Sequence, residues 1–192
     1  MAQTKAKNVL ADWSTRDIMV LVAIVVALAV LSLVAIYVRT FLEAALGPFG
    51  NRLAMVSSIV IVLTPPFLIR KPFSAILAAL LLGLTQIPFS PAGVIAIVGF
   101  LVGGIVSEII FAAGRYRSYS LRFMLIAGVV YNFFTLLVAW IPYQYSALSV
   151  IGIIGVLIAT VIGGLVAGWL IYMIGESLRQ SGILADYTES EG

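Results

Sequence analysis

The chain has 192 residues, of which 62% are hydrophobic and only 10% charged, against roughly 25% charged in a soluble domain. A chain this apolar cannot cover a core with polar surface in water. It holds no histidine and no cysteine, which excludes zinc and iron–sulfur sites, disulfides, thiol nucleophiles and triads built on histidine. No metal site, cofactor or catalytic group is expected, and the chain is not expected to be an enzyme. The net charge of +3 does not point to nucleic acid, because its distribution reads as membrane topology.

In chain order, Ile18 to Val38 gives 21 uncharged residues, enough to cross a hydrocarbon core of about 30 Å. Leu53 to Ile69 gives 17, a short span. Pro72 to Ser107 runs 36 residues without charge and breaks at Pro88-Phe89-Ser90-Pro91, where prolines remove backbone donors. That yields helices near 72–87 and 91–113. The third is short, and a re-entrant or buried helix competes with a span there. Residues 123–175 carry no charge. One helix of that length would reach roughly 80 Å, so the run breaks at Ile141-Pro142-Tyr143-Gln144-Tyr145-Ser146, giving helices near 121–141 and 148–178.

The expected fold is an all-α membrane protein with six transmembrane helices. The six spans put Lys5, Lys7, Arg16, Arg70, Lys71, Arg115, Arg117, Arg122 and Arg179 on one side and only Arg39 and Arg52 on the other. By the positive-inside rule both termini are cytoplasmic. Residues 1–16 and 179–192 read as cytoplasmic tails and 17–178 as one six-helix domain. No cleavable signal peptide is evident, since Arg39 follows the first apolar run rather than a small-residue cleavage site.

Helices in lipid pack through small residues. Gly99 with Gly103, and Gly164 with Gly168, suit internal packing. Ala23 and Ala27 lie on one face of a first helix that is apolar all round, so they serve either internal packing or a partner helix sliding along a smooth strip. Glu108 is the one acid embedded in apolar sequence. Pairing with Arg70, Lys71 or Arg115 is the favoured reading, because a proton relay would require titratable partners that the chain lacks.

The candidates for a ligand site are few. Asn132, beside Tyr131, either bonds a neighbouring helix or faces a cavity, since an unbonded amide at that depth costs free energy. Gln86 is either solvated at the interface or a ligand contact. Trp140, Tyr143 and Tyr145, with Phe89, Phe41 and Phe49, form either an aromatic belt or a stacking box for a flat ligand. Glu43, in the loop expected between the first two helices, could complement a cationic ring.

The stretches Arg70-Lys71-Pro72, Ser90-Pro91-Ala92-Gly93 and Gly103-Gly104, followed by Ser107-Glu108-Ile109-Ile110-Phe111-Ala112 and Arg115-Tyr116-Arg117, resemble the substrate-binding S components of energy-coupling factor transporters. The likeness is nearest to the YkoE type, associated with thiamine or its hydroxymethylpyrimidine precursor. Trp13-Ser14-Thr15-Arg16-Asp17, Gly47-Pro48-Phe49-Gly50 and Gly182-Ile183-Leu184 fit as well. The resemblance implies a multi-pass protein of a prokaryotic plasma membrane. It implies capture of a small vitamin from outside, and docking onto an energy-coupling membrane subunit driven by two ATPase subunits. Energy must come from such a partner, because the chain has no phosphate-binding Gly-x-x-x-x-Gly-Lys loop.

Ala23 and Ala27 resemble that family's docking motif. The substrate-binding residues expected are Glu43, Gln86, Phe89, Tyr131, Asn132, Trp140, Tyr143 and Tyr145. Ala79, Ala92 and Val102 stand where the pattern has an acidic residue, a tryptophan and a glutamine, which implies a less polar or differently shaped ligand. A membrane scaffold or assembly protein, its polar residues used only for packing, is the competing reading.

Overall fold

The computed structural model describes residues 13–89, 94–141 and 143–180. They form six helices: α1 (Thr15–Leu46), α2 (Pro48–Ile69), α3 (Ser74–Gln86), α4 (Ile95–Ala113), α5 (Leu121–Ala139) and α6 (Val150–Gln180). A short 3₁₀ turn, Tyr145–Ala147, lies between α5 and α6. By length and composition, α1, α2, α4, α5 and α6 can each cross a bilayer. The 13 residues of α3 reach about 20 Å, so α3 is the short helix its sequence suggested.

α1 starts at a capping box in which the Asp17 amide donates to Ser14 Oγ at 3.2 Å and the Ser14 amide donates to Asp17 Oδ2 at 2.7 Å. Its other end corrects the expected outer loop. The helix continues well past Val38 to Leu46. Arg39 and Glu43, one turn apart, pair at 2.7 Å, which lets charges lie inside the helix rather than end it.

Only Gly47 separates α1 from α2. Its φ of +56° is a conformation that glycine adopts without strain, and Pro48 follows at the first helical position, where its missing N–H costs nothing. A Cβ on Gly50 would fall 1.8 Å from the Leu42 carbonyl oxygen, so the corner closes only on glycine. Phe41 and Phe49 therefore sit on helices, not in a loop. The second span begins at Pro48 rather than Leu53.

α2 is buried along most of its length and forms the axis of the bundle, with every other helix packed against it. Met55, Ile59, Leu63 and Phe67 of α2 meet Phe111, Met124, Tyr131 and Ile171 in the main core. The α5–α6 seam is closed by glycines: a Cβ on Gly128 would lie 2.2 Å from the Gly164 carbonyl oxygen, and one on Gly168 would lie 2.2 Å from the Met124 carbonyl oxygen. The α3–α4 seam is similarly close. A Cβ on Gly104 would lie 2.5 Å from the Ala79 side chain, so Ala79 is a packing position here. The 3–4 break at Ser90-Pro91, together with Ala92, Pro142 and Gly182-Ile183-Leu184, lies outside the described residues, as do residues 1–12 and 181–192 of the expected tails.

Candidate functional site

The polar groups collect at two ends of α2. At the Lys71 end, Lys71 Nζ pairs with Asp17 Oδ2 at 2.5 Å, and Trp13 Nε1 donates to the Pro72 carbonyl at 3.2 Å. Glu108 accepts the Phe73 amide at 2.6 Å and the Ala75 amide at 3.1 Å. It also accepts the Tyr116 hydroxyl. Glu108 is thus structural, but as the cap of α3: its carboxylate meets backbone N–H groups at the positive end of that helix.

The other end is arranged differently. Arg52 is 0% exposed. Its Nη2 and Nε donate to Asn51 Oδ1 at 2.5 and 3.2 Å, and its Nη1 reaches Thr135 Oγ1 at 3.5 Å. The guanidinium lies 5.7 Å from the centre of the Tyr145 ring. Arg39 donates from Nε to Glu43 Oε1 at 2.7 Å and from Nη2 to the Tyr143 hydroxyl at 2.5 Å. Glu43 Oε1 also accepts the Tyr143 hydroxyl at 3.2 Å and the Asn51 amide. Burial holds the Tyr145 hydroxyl above its ordinary pKa, so it stays neutral beside Arg52 and its phenol supplies no counter-charge.

Arg39 and Arg52 both border a cleft of about 510 Å³ between α4 and α5, floored by α2 at Met55. Val98, Gly99, Val102 and Gly103 form one wall, and Tyr131, Phe134, Thr135, Val138 and Ala139 the other. Tyr143 closes the polar end. A Cβ built on Gly99 meets nothing within 4 Å, so this glycine faces open space. The glycine at 103 is different, since a Cβ there would lie 2.5 Å from the Tyr131 hydroxyl. A second chamber of about 210 Å³ shares Arg39 and is lined by Ser32, Ile36, Ser58, Gln86 and Phe100 among others. Gln86 is buried, and its amide nitrogen donates to Ser32 Oγ. Its carbonyl oxygen has no hydrogen-bond partner among the described residues.

Of the residues expected at a ligand site, Tyr131 and Tyr143 line the cleft and Gln86 the smaller chamber. Glu43 holds Arg39 in place from behind. Asn132 turns towards α6, where its Nδ2 donates to the Thr160 carbonyl at 2.8 Å. Trp140 packs against Tyr145 at 5.7 Å with the rings inclined by 53°, and Tyr143 stacks on Tyr145 at 5.9 Å. This cluster packs against Leu136 and Val156. Phe89 is 61% exposed beyond the end of α3.

The sequence reading missed Arg39, Arg52, Gly99 and Phe134 as lining residues. A signal for the arginines was available. They are the two basic residues that depart from an otherwise one-sided charge distribution, and a charge kept against that bias asks for a local reason. Ala23 and Ala27 are both exposed, on the face of α1 opposite the buried Leu21, Val25 and Leu28.

An apolar cleft of this size with a few convergent polar groups fits a small organic ligand, in a membrane bundle of six helices. Residues 16–134 match the family described as "ABC-type cobalt transport system, permease component", and the chain belongs to that family. It is 25% identical over 175 residues to the "Putative HMP/thiamine permease protein YkoE" of Bacillus subtilis (strain 168), covering 90% of this chain and 88% of that one. A solved structure, "Crystal structure of an S-component of ECF transporter", superposes with a TM-score of 0.78 at 25% identity, over 90% of this chain and 88% of that one. The fold is that of a transporter S component and not of an enzyme.

Proposed function

We propose that this chain captures a small heteroaromatic vitamin or vitamin precursor on the outer side of a prokaryotic plasma membrane and hands it to an ATP-driven energy-coupling module. The observation that carries the reading is the cleft of about 510 Å³. It lies within the usual range of roughly 300–1,000 Å³ for small-molecule sites, and it offers ring-sized apolar walls with polar groups at one end. The name of the Bacillus subtilis relative supports a ligand of the thiamine or hydroxymethylpyrimidine kind. The family's description names cobalt, but this chain has no imidazole or thiolate to offer such a metal, which favours an organic substrate. Mass spectrometry of the purified, then denatured, protein should release a bound heteroaromatic. Preparations that carry none, and that take up none when offered thiamine, hydroxymethylpyrimidine or their monophosphates, would overturn the reading.

In this reading the Arg39/Arg52 end faces outside and both termini are cytoplasmic, as the sorting of lysines and arginines favours. Ala23 and Ala27 form a smooth exposed strip on α1 for a helix of the coupling subunit. Replacing both with leucine should leave ligand binding intact and reduce uptake in cells by about tenfold or more, because bulky side chains hold a partner helix away. Unchanged uptake would remove the docking role. A reporter fused at Ser118 should read cytoplasmic, and an external reading would invert the topology.

A further inference from the structure

We infer that the natural substrate carries an acidic group, a carboxylate or a phosphate monoester, and that Arg52 binds it. The inference rests on the capture reading above and names the chemistry of that same cleft. A fully buried guanidinium is costly unless it is paired, and Arg52 is 0% exposed. Its protein partners are neutral: the Asn51 carbonyl, the Thr135 hydroxyl, and the hydroxyl and ring of Tyr145.

Each of its three nitrogens reaches a neutral acceptor, and the Tyr145 hydroxyl is a further neutral partner, so what Arg52 lacks is a counter-charge. Among the described residues the one acid at this end is Glu43, and it is committed to Arg39, Asn51 and Tyr143. Asp17 lies at the Lys71 end, Glu108 caps α3, and Glu176 lies in the far turns of α6. Two arginines and one carboxylate therefore leave the cleft a net positive charge, next to apolar walls that exclude competing water. An acidic group balances that charge, and a guanidinium presents its donors in a fork that matches carboxylate or phosphate oxygens. The same field disfavours a cationic ring such as thiazolium. Glu43, already neutralised by Arg39, does not reverse it.

Matched pairs on one ring test this directly. Binding of hydroxymethylpyrimidine and its phosphate monoester, and of thiamine and thiamine monophosphate, is measured on the intact purified protein by calorimetry. Each phosphate form should bind tighter than its parent by on the order of 10- to 100-fold, the usual worth of a hydrogen bond to a charged group. Arg52→Gln should collapse that ratio towards one, and Arg52→Lys should retain part of it. Thermal unfolding confirms that each variant is folded. If Arg52→Gln does not fold, the wild-type ratios together with Arg52→Lys still decide. Parent rings that bind as tightly as their phosphates, or a ratio unchanged in Arg52→Gln, would overturn the acidic-group assignment and leave the capture reading standing. No binding of any of the four rings would sink the capture reading and this inference together.

Discussion

The two ends of α2 use similar residues for opposite purposes. They are separated by 22 residues, about 30 Å at 1.5 Å per residue. At the Lys71 end the polar groups bond one another: Asp17 to Lys71, Trp13 to Pro72, and Glu108 to two amides of α3 and to Tyr116. At the Arg52 end two arginines face one carboxylate, and a cleft stands beside them. A cluster in which acids and bases pair with one another fixes the helices relative to one another. One that carries an unbalanced positive charge, held rigid by its neighbours, is what an acidic ligand completes. Breaking the first should therefore show in stability, and breaking the second in binding.

The largest effect is expected inside the cleft, at Gly99. A Cβ there meets nothing, so Gly99→Leu places a bulky side chain in the ligand's space without a clash. Replacing a helix-interior glycine even favours the helix, by up to about 1 kcal/mol. Binding should fall by on the order of 100-fold or more while the unfolding temperature holds or rises. The control is Gly164→Leu in the α5–α6 seam. A Cβ there would lie 2.5 Å from the Val129 Cα, so that variant should lose the fold itself. If Gly99→Leu binds like wild type, the cleft is not the site.

Much of the fold was legible in the sequence, because charge gaps and prolines mark helix ends in any chain that must avoid burying unpaired charge. That rule failed where the charges were paired. Arg39 and Glu43 were read as the end of a span, yet they neutralise each other and α1 runs on to Leu46. The motif pieces that resemble known S components turn out to be spatial neighbours: Trp13 and Asp17 meet Pro72 and Lys71, while Glu108 meets Phe73 and Tyr116. What is recognisable in the sequence is thus largely the knot at the Lys71 end, and it says little about the ligand.

The cleft was harder to read, since its walls are valines, glycines and a phenylalanine of ordinary type. Asn132 illustrates the limit. Its depth showed that it must be bonded, but only the structure shows that the bond is to Thr160 on α6. Composition gives the need for a partner, and geometry gives the partner.

The smallest effect should come from the knot, at Glu108. The residue is 8% exposed, and its two carboxylate oxygens each accept an N–H from the first residues around α3, with Tyr116 adding a third donor. Glu108→Gln keeps the shape and one carbonyl acceptor, but turns the other oxygen into an NH₂ that faces an amide donor. One charge-assisted bond is lost and one buried N–H is left unpaired, a cost of about 1–3 kcal/mol. Thermal unfolding should register that loss, and Tyr116→Phe should register less. Ligand affinity and the preference between matched phosphate and parent rings should stay within about twofold, because the change lies the length of α2 away from Arg52. A variant that kept its unfolding temperature but lost ligand preference would mean that the two ends are coupled through α2, and the division of labour between them would have to be abandoned.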